Sequence, residues 1–93
     1  MKMKKKKEKK TCPCCGYKTL TREEDGTCSI CFWDDNLVQA TDPNYEGGPN
    51  EVSLIQAQRN FREFGACEKD MIKNVRKPIG KDIKDKNFKP FVE

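Results

Sequence analysis

Two C-x-x-C pairs, a chain too short and polar to fold on an apolar core alone, and one capped amphipathic stretch near its middle predict a small metal-stabilised α+β domain. The pairs are Cys12 with Cys15 and Cys28 with Cys31, and twelve residues separate them. Four thiolates at that spacing match a closed tetrahedral zinc site, with each sulfur about 2.3 Å from the metal. Of the 93 residues, 34% are hydrophobic and 37% charged, so little apolar area is available to bury. A bound metal makes good that shortfall, because structural zinc contributes roughly 10 to 16 kcal/mol of apparent binding free energy that doubles as folding free energy.

The elements are read in order. Residues 1–10 hold seven lysines and one glutamate, a like-charge block expected to be a disordered basic tail. Thr11 to Cys15 forms the first knuckle, with Pro13 stiffening the turn and Gly16 giving the backbone freedom to aim amides at sulfur. Tyr17, Thr19 and Thr21 alternate with Lys18, Leu20 and Arg22 as a strand. Glu-Glu-Asp-Gly at 23–26 reads as a hairpin turn, and residues 27–30 as the returning strand. Knuckle, hairpin, knuckle is a zinc-ribbon-like arrangement. Phe32 and Trp33 follow, and Trp33 is expected to pack on the ribbon. Residues 42–50 form a Pro/Gly/Asn loop with Tyr45 as its expected anchor.

Ser53 is the N-cap of a helix in which Leu54, Ala57, Phe61 and Phe64 recur at helical spacing, Gln56 takes the capping-box position and Gly65 the C-cap. Gln58 is expected to face outward. A shorter helix is expected over 68–77, with Met71, Ile72 and Val75 inward and Pro78 ending it. Residues 79–93 carry dispersed apolar residues among lysines and aspartates and read as a loosely attached charged tail. The domain proper is therefore expected over 11–78.

Cys12, Cys15, Cys28 and Cys31 are the expected ligands, with one Zn2+ per chain; iron suits the same donor set. Cys14 alternates with Cys12 and either points away from the metal or competes with Cys12 or Cys15 for it. Cys67 reads as a small buried hydrophobe beside a helix. Asp34 and Asp35 are candidate acid/base or second-metal residues, or else a solvated turn or helix cap.

The lysine-rich start has no apolar stretch of signal-peptide type, and no run reaches the ~18 apolar residues of a membrane span. These features place the chain in the cytoplasm with reduced thiols. There is no histidine, so the commonest catalytic base is missing, and four thiolates leave no open position on a metal. The expected function is thus a non-catalytic zinc-binding module for protein interaction. Two alternatives are a nucleic-acid-associated protein using the N-terminal lysine arm, and a small hydrolase or thiol-redox protein using Asp34, Asp35 or Cys14. The arm reading is opposed by charge, since residues 11–67 hold nine acids against four bases.

Cys-Pro-Cys-Cys-Gly-Tyr at 12–17, Cys-Phe-Trp-Asp-Asp at 31–35, Asp-Pro-Asn-Tyr-Glu-Gly-Gly at 42–48, Val-Ser-Leu at 52–54, Asn-Phe-Arg-Glu-Phe-Gly-Ala at 60–66 and Val-Arg-Lys-Pro at 75–78 resemble the cysteine-rich CPCC family of short bacterial and phage-type proteins. The likeness covers nearly all of residues 11–78. Ser29 and Ile30 stand where that family commonly has a proline in the second knuckle, and Pro49 where it has an alanine. The resemblance implies a metal-binding domain and assigns it no activity.

Overall fold

The computed structural model describes residues 9–21 and 26–92. Two strands, β1 (Lys9–Thr11) and β2 (Lys18–Thr21), are followed by the short helix α1 (Leu37–Thr41), the longer helix α2 (Leu54–Phe64) and a 3₁₀ helix at Lys69–Asn74. Strand, hairpin and helices fall in the expected order. The partner of β2 differs: β2 pairs antiparallel with β1, in the register Lys9 to Thr21, Lys10 to Leu20 and Thr11 to Lys18. The first knuckle is therefore the loop of the hairpin itself.

Residues 27–30 form no strand; Thr27 makes a single antiparallel bridge with Asp34 across the second knuckle. The reason is local. The Cys28 amide donates to the Trp33 carbonyl at 2.9 Å and the Ile30 amide donates to Cys28 Sγ at 3.3 Å, so the chain must turn back on itself where an extended strand would run on. Lys9 and Lys10, read with the tail, lie in β1, where Lys10 Nζ reaches the Asp35 carboxylate at 3.1 Å. The rest of the lysine block, residues 1–8, lies outside the described residues, as does the 23–26 turn except for Gly26.

Helix α2 is bounded as its sequence requires. Ser53 Oγ accepts from the Gln56 amide at 3.1 Å, and Gly65 closes the helix at φ 85° with its amide on the Phe61 carbonyl. Leu54 and Ala57 are buried with Leu20, Ile30, Trp33 and the cysteines in one core, against which Phe61 packs. Gln58 is buried too: its side chain donates to the Pro13 carbonyl at 2.8 Å and accepts from the Phe91 amide at 2.8 Å. A long amide that bridges two backbone groups has no periodicity to betray it. The second helix is the six-residue 3₁₀ element; Met71 packs on the core while Ile72 stays exposed.

The 42–50 loop is held by Asn50, and Tyr45 is exposed. Asn50 accepts from the Asp34 amide at 3.0 Å and donates to the Asp34 carbonyl and to Gln39 Oε1, both at 2.8 Å. Gln39, fully buried in α1, donates to the Tyr45 and Val52 carbonyls at 2.9 and 3.0 Å. Every polar atom of these two side chains is thereby satisfied, as burial demands.

The C-terminal segment is fastened to the body. The Lys18 amide donates to the Ile83 carbonyl and the Asp85 amide to the Gly16 carbonyl, both at 2.9 Å, and Thr11 Oγ1 donates to the Asp85 carboxylate. The Phe88 ring lies over Gly16 so closely that a Cβ there would stand 2.5 Å from it, and Gly16 sits at φ 85°. Gly16→Ala is expected to destabilise the protein by about 2 kcal/mol through left-handed strain and displacement of Phe88. Amide exchange at Asp85 checks this: it should quicken in the variant, and an unchanged rate would contradict the close packing. Among the described residues no helix is long and apolar enough to cross a membrane.

Candidate metal centre

The two knuckles are built alike. In each, the amide of the first cysteine donates to a carbonyl beyond the second cysteine (Cys12 to Tyr17, Cys28 to Trp33, both 2.9 Å), and the residue after the second cysteine donates back (Gly16 to Cys12, Phe32 to Cys28, both 2.8 Å). That last residue must take positive φ, which is 85° at Gly16 and 70° at Phe32. Positive φ is uncommon for a bulky side chain and strained there. Packing of the Phe32 ring on the core offsets the strain.

This geometry brings Cys12, Cys15, Cys28 and Cys31 together, all four buried, with their sulfurs within 4.8 Å of one another. Cys12 and Cys31 Sγ are 3.6 Å apart, Cys15 and Cys28 Sγ 3.7 Å. A disulfide needs about 2.05 Å, and the six cysteines are free thiols. A tetrahedron with ~2.3 Å metal–sulfur bonds has edges of about 3.8 Å, which those two separations match, and four sulfurs this close together could hold a metal ion. Thr19 Oγ1 donates to Cys28 Sγ at 3.0 Å, alongside the Ile30 amide. Donors of this kind orient a ligand and stabilise its negative charge.

Proton sharing within the cluster is uneven. Hydrogen bonding from Cys12, then from Cys15 and Cys31, pulls Cys28 far below the usual thiol range. Cys12 is pushed well up, chiefly by its hydrogen bonding with Cys15 and Cys28, and Cys31 is pushed up by Cys12 first. Cys28 is thus the thiolate of the cluster, accepting hydrogen bonds from neighbouring thiols that keep their protons. A divalent cation in their place satisfies all four sulfurs.

Cys14 is buried next to Cys15 and lines a cleft with Gln58 and Phe88, outside the set of four sulfurs. Cys67 is buried as expected; its amide donates to the Cys31 carbonyl at 2.8 Å, and Asn60 Nδ2 donates to the Cys67 carbonyl at 2.8 Å. It therefore ties the second knuckle to α2. Burial, then the nearby Cys14, pushes its thiol up to about 12. An unfolded thiol titrates near 8.5. Because the folded value is the higher one, Cys67's contribution to stability is intact below about pH 8.5 and is lost as pH rises from there towards 12. At pH 8 Cys67 should resist alkylation until the protein unfolds, as mass mapping of the modified sites would show; rapid labelling of folded protein would contradict its burial.

Asp34 and Asp35 are not brought together as a catalytic pair. Asp35 is held by Lys10, while Asp34 lines a small cavity of about 80 Å³ together with Asn50 and Glu68. Nor does either cap α1, since Asn36 takes that position and accepts from the Gln39 amide. The Asn36–Gln39–Asn50 network that fixes this turn went unread in the sequence, where all three look like loop polar residues.

No curated protein matches the chain. The family profile described as cysteine-rich CPCC matches residues 10–82, the span that holds both knuckles, the buried amide network and α2. On that match, which takes in most of its length, the chain belongs to the cysteine-rich CPCC family.

Proposed function

We propose that the chain is a non-catalytic zinc-binding module that engages a protein partner, with Cys12, Cys15, Cys28 and Cys31 holding one Zn2+ in a reducing, cytoplasmic setting. The observation that carries this reading is the four-sulfur cluster, each member no more than 2% exposed. Four thiolates complete zinc's coordination, and the burial gives a substrate no way in. Zinc would act as a structural crosslink between the two knuckles. An interaction role is supported by the surface, where Leu37, Ile79, Ile83 and Phe91 all stand exposed on a small chain with little core to spare.

Native mass spectrometry of protein purified from cells tests the reading. One zinc per folded chain is expected, and removing it with a strong chelator should abolish the folded far-UV circular dichroism. Iron in the site would be seen as visible thiolate-to-metal absorption. Folded protein carrying far less than one metal per chain would overturn the proposal.

A further inference from the structure

Two apolar features that the fold leaves uncovered lie in segments of opposite charge. The first is the tip formed by α1, where Leu37 is 81% and Val38 54% exposed. It lies within residues 34–51, which contain five carboxylates and no lysine or arginine. The second is a groove of about 230 Å³ between the end of α2, the 3₁₀ helix and the chain leading to Pro78. Phe61, Phe64, Ile72 and Val75 line it, and Arg76 and Lys77 stand beside them. The surrounding stretch, residues 69–92, holds eight bases and three acids.

The exposed Asp42 and Glu46 belong to the tip's side and Lys77 to the groove's, while Asp35 is paired with Lys10 and Arg76 with Asp82. An apolar tip on an acidic segment and an apolar groove beside a cation are complementary in both respects, and one chain carries both. We infer that the α1 tip of one copy seats in the groove of a second copy, Leu37 entering beside Ile72 while the acidic surround of the tip faces Lys77. The inference rests on the reading of the chain as an interaction module and names its partner. Because tip and groove are different surfaces, the contact is head-to-tail: each bound pair leaves one tip and one groove free, and association continues beyond two. A contact of this size is weak, and its charge component is screened by salt.

Sedimentation velocity of the metal-loaded full chain, from about 10 μM to about 1 mM, tests it over the range expected of small transient interfaces. The weight-average sedimentation coefficient should climb with concentration, and climb less in about 0.5 M salt. Leu37→Asp and Ile72→Asp, both at exposed positions, should each return the protein to monomer with its metal content unchanged. Mixed in equal amounts, the two variants should form a dimer that does not grow, since each supplies the one intact surface the other lacks. Should Ile72→Asp fail to keep its metal, Lys77→Glu takes its place and should weaken association at least several-fold. A wild-type chain that stays monomeric while holding its metal overturns this inference and leaves the metal module standing; so would association indifferent to both substitutions, or a mixture that stays monomeric. A chain that binds no metal overturns the module itself.

Discussion

Cys28→Ser is expected to abolish both metal binding and the fold, whereas Cys14→Ser should leave each in place. Cys28 is the sulfur with the most support: Thr19 and the Ile30 amide donate to it, and its own amide closes the second knuckle on Trp33. Serine offers a neutral oxygen that remains protonated at pH 7 and sits about 0.4 Å nearer the backbone than sulfur, so the tetrahedron loses one charge and one vertex. Structural zinc supplies roughly 10 to 16 kcal/mol, against total stabilities of about 5 to 15 kcal/mol for ordinary domains. Losing even a third of that sum leaves a 93-residue chain of this composition unfolded. Cys14, although buried beside the cluster, is outside the set of four sulfurs. Zinc content and circular dichroism of the two variants decide the matter. A folded, metal-loaded Cys28→Ser protein, or a Cys14→Ser protein stripped of metal, would require a different ligand set.

Trp33→Ala should produce the largest loss among the core substitutions, about 3 to 5 kcal/mol. Trp33 is the largest of the fully buried side chains, at 1% exposure, and packs in the same cluster as all four sulfurs and Leu54. Its backbone carbonyl holds the Cys28 amide at 2.9 Å and survives the substitution, so the loss isolates the ring. For a domain of this size each kcal/mol moves the melting temperature by roughly 4 to 8 °C, giving a drop of about 20 °C in the metal-loaded protein. Trp33→Phe should cost much less, about 1 kcal/mol. The indole N–H has no hydrogen-bond partner among the described residues, and the smaller ring removes that buried donor while opening only a modest cavity. Thermal melts of both variants with metal bound would show the contrast; an alanine variant melting within a few degrees of wild type would remove Trp33 from the centre of the core.

The C-terminal segment shows how a fastened stretch can look loose in sequence. Its ties to Gly16 and Lys18 run through backbone carbonyls and amides, which every residue possesses, so Ile83 and Asp85 carry no mark of them. Phe88 was visible only as one dispersed apolar residue, and its place over Gly16 depends on a neighbour 72 positions away. The strand partner of β2 was hidden for a related reason. Residues on either side of β2 lie within a short turn of it, and alternation tells that a strand has two faces without telling which neighbour borders its edge. Lys9 and Lys10 resembled the rest of a charged run until Asp35 gave Lys10 a counter-ion.

Sequence by itself determined what depends on covalent spacing and local backbone chemistry. The two knuckles follow from three-residue steps between cysteines, and α2 follows from Ser53 and Gly65 at its ends. Tertiary structure alone decided which chain closes the hairpin, that Gln39, Asn50 and Gln58 belong inside, and that Cys14 stays out of the four-sulfur set. Those choices are made by backbone hydrogen bonds and by polar side chains satisfied across long separations. Such interactions become favourable only once the folded body has removed the competing water.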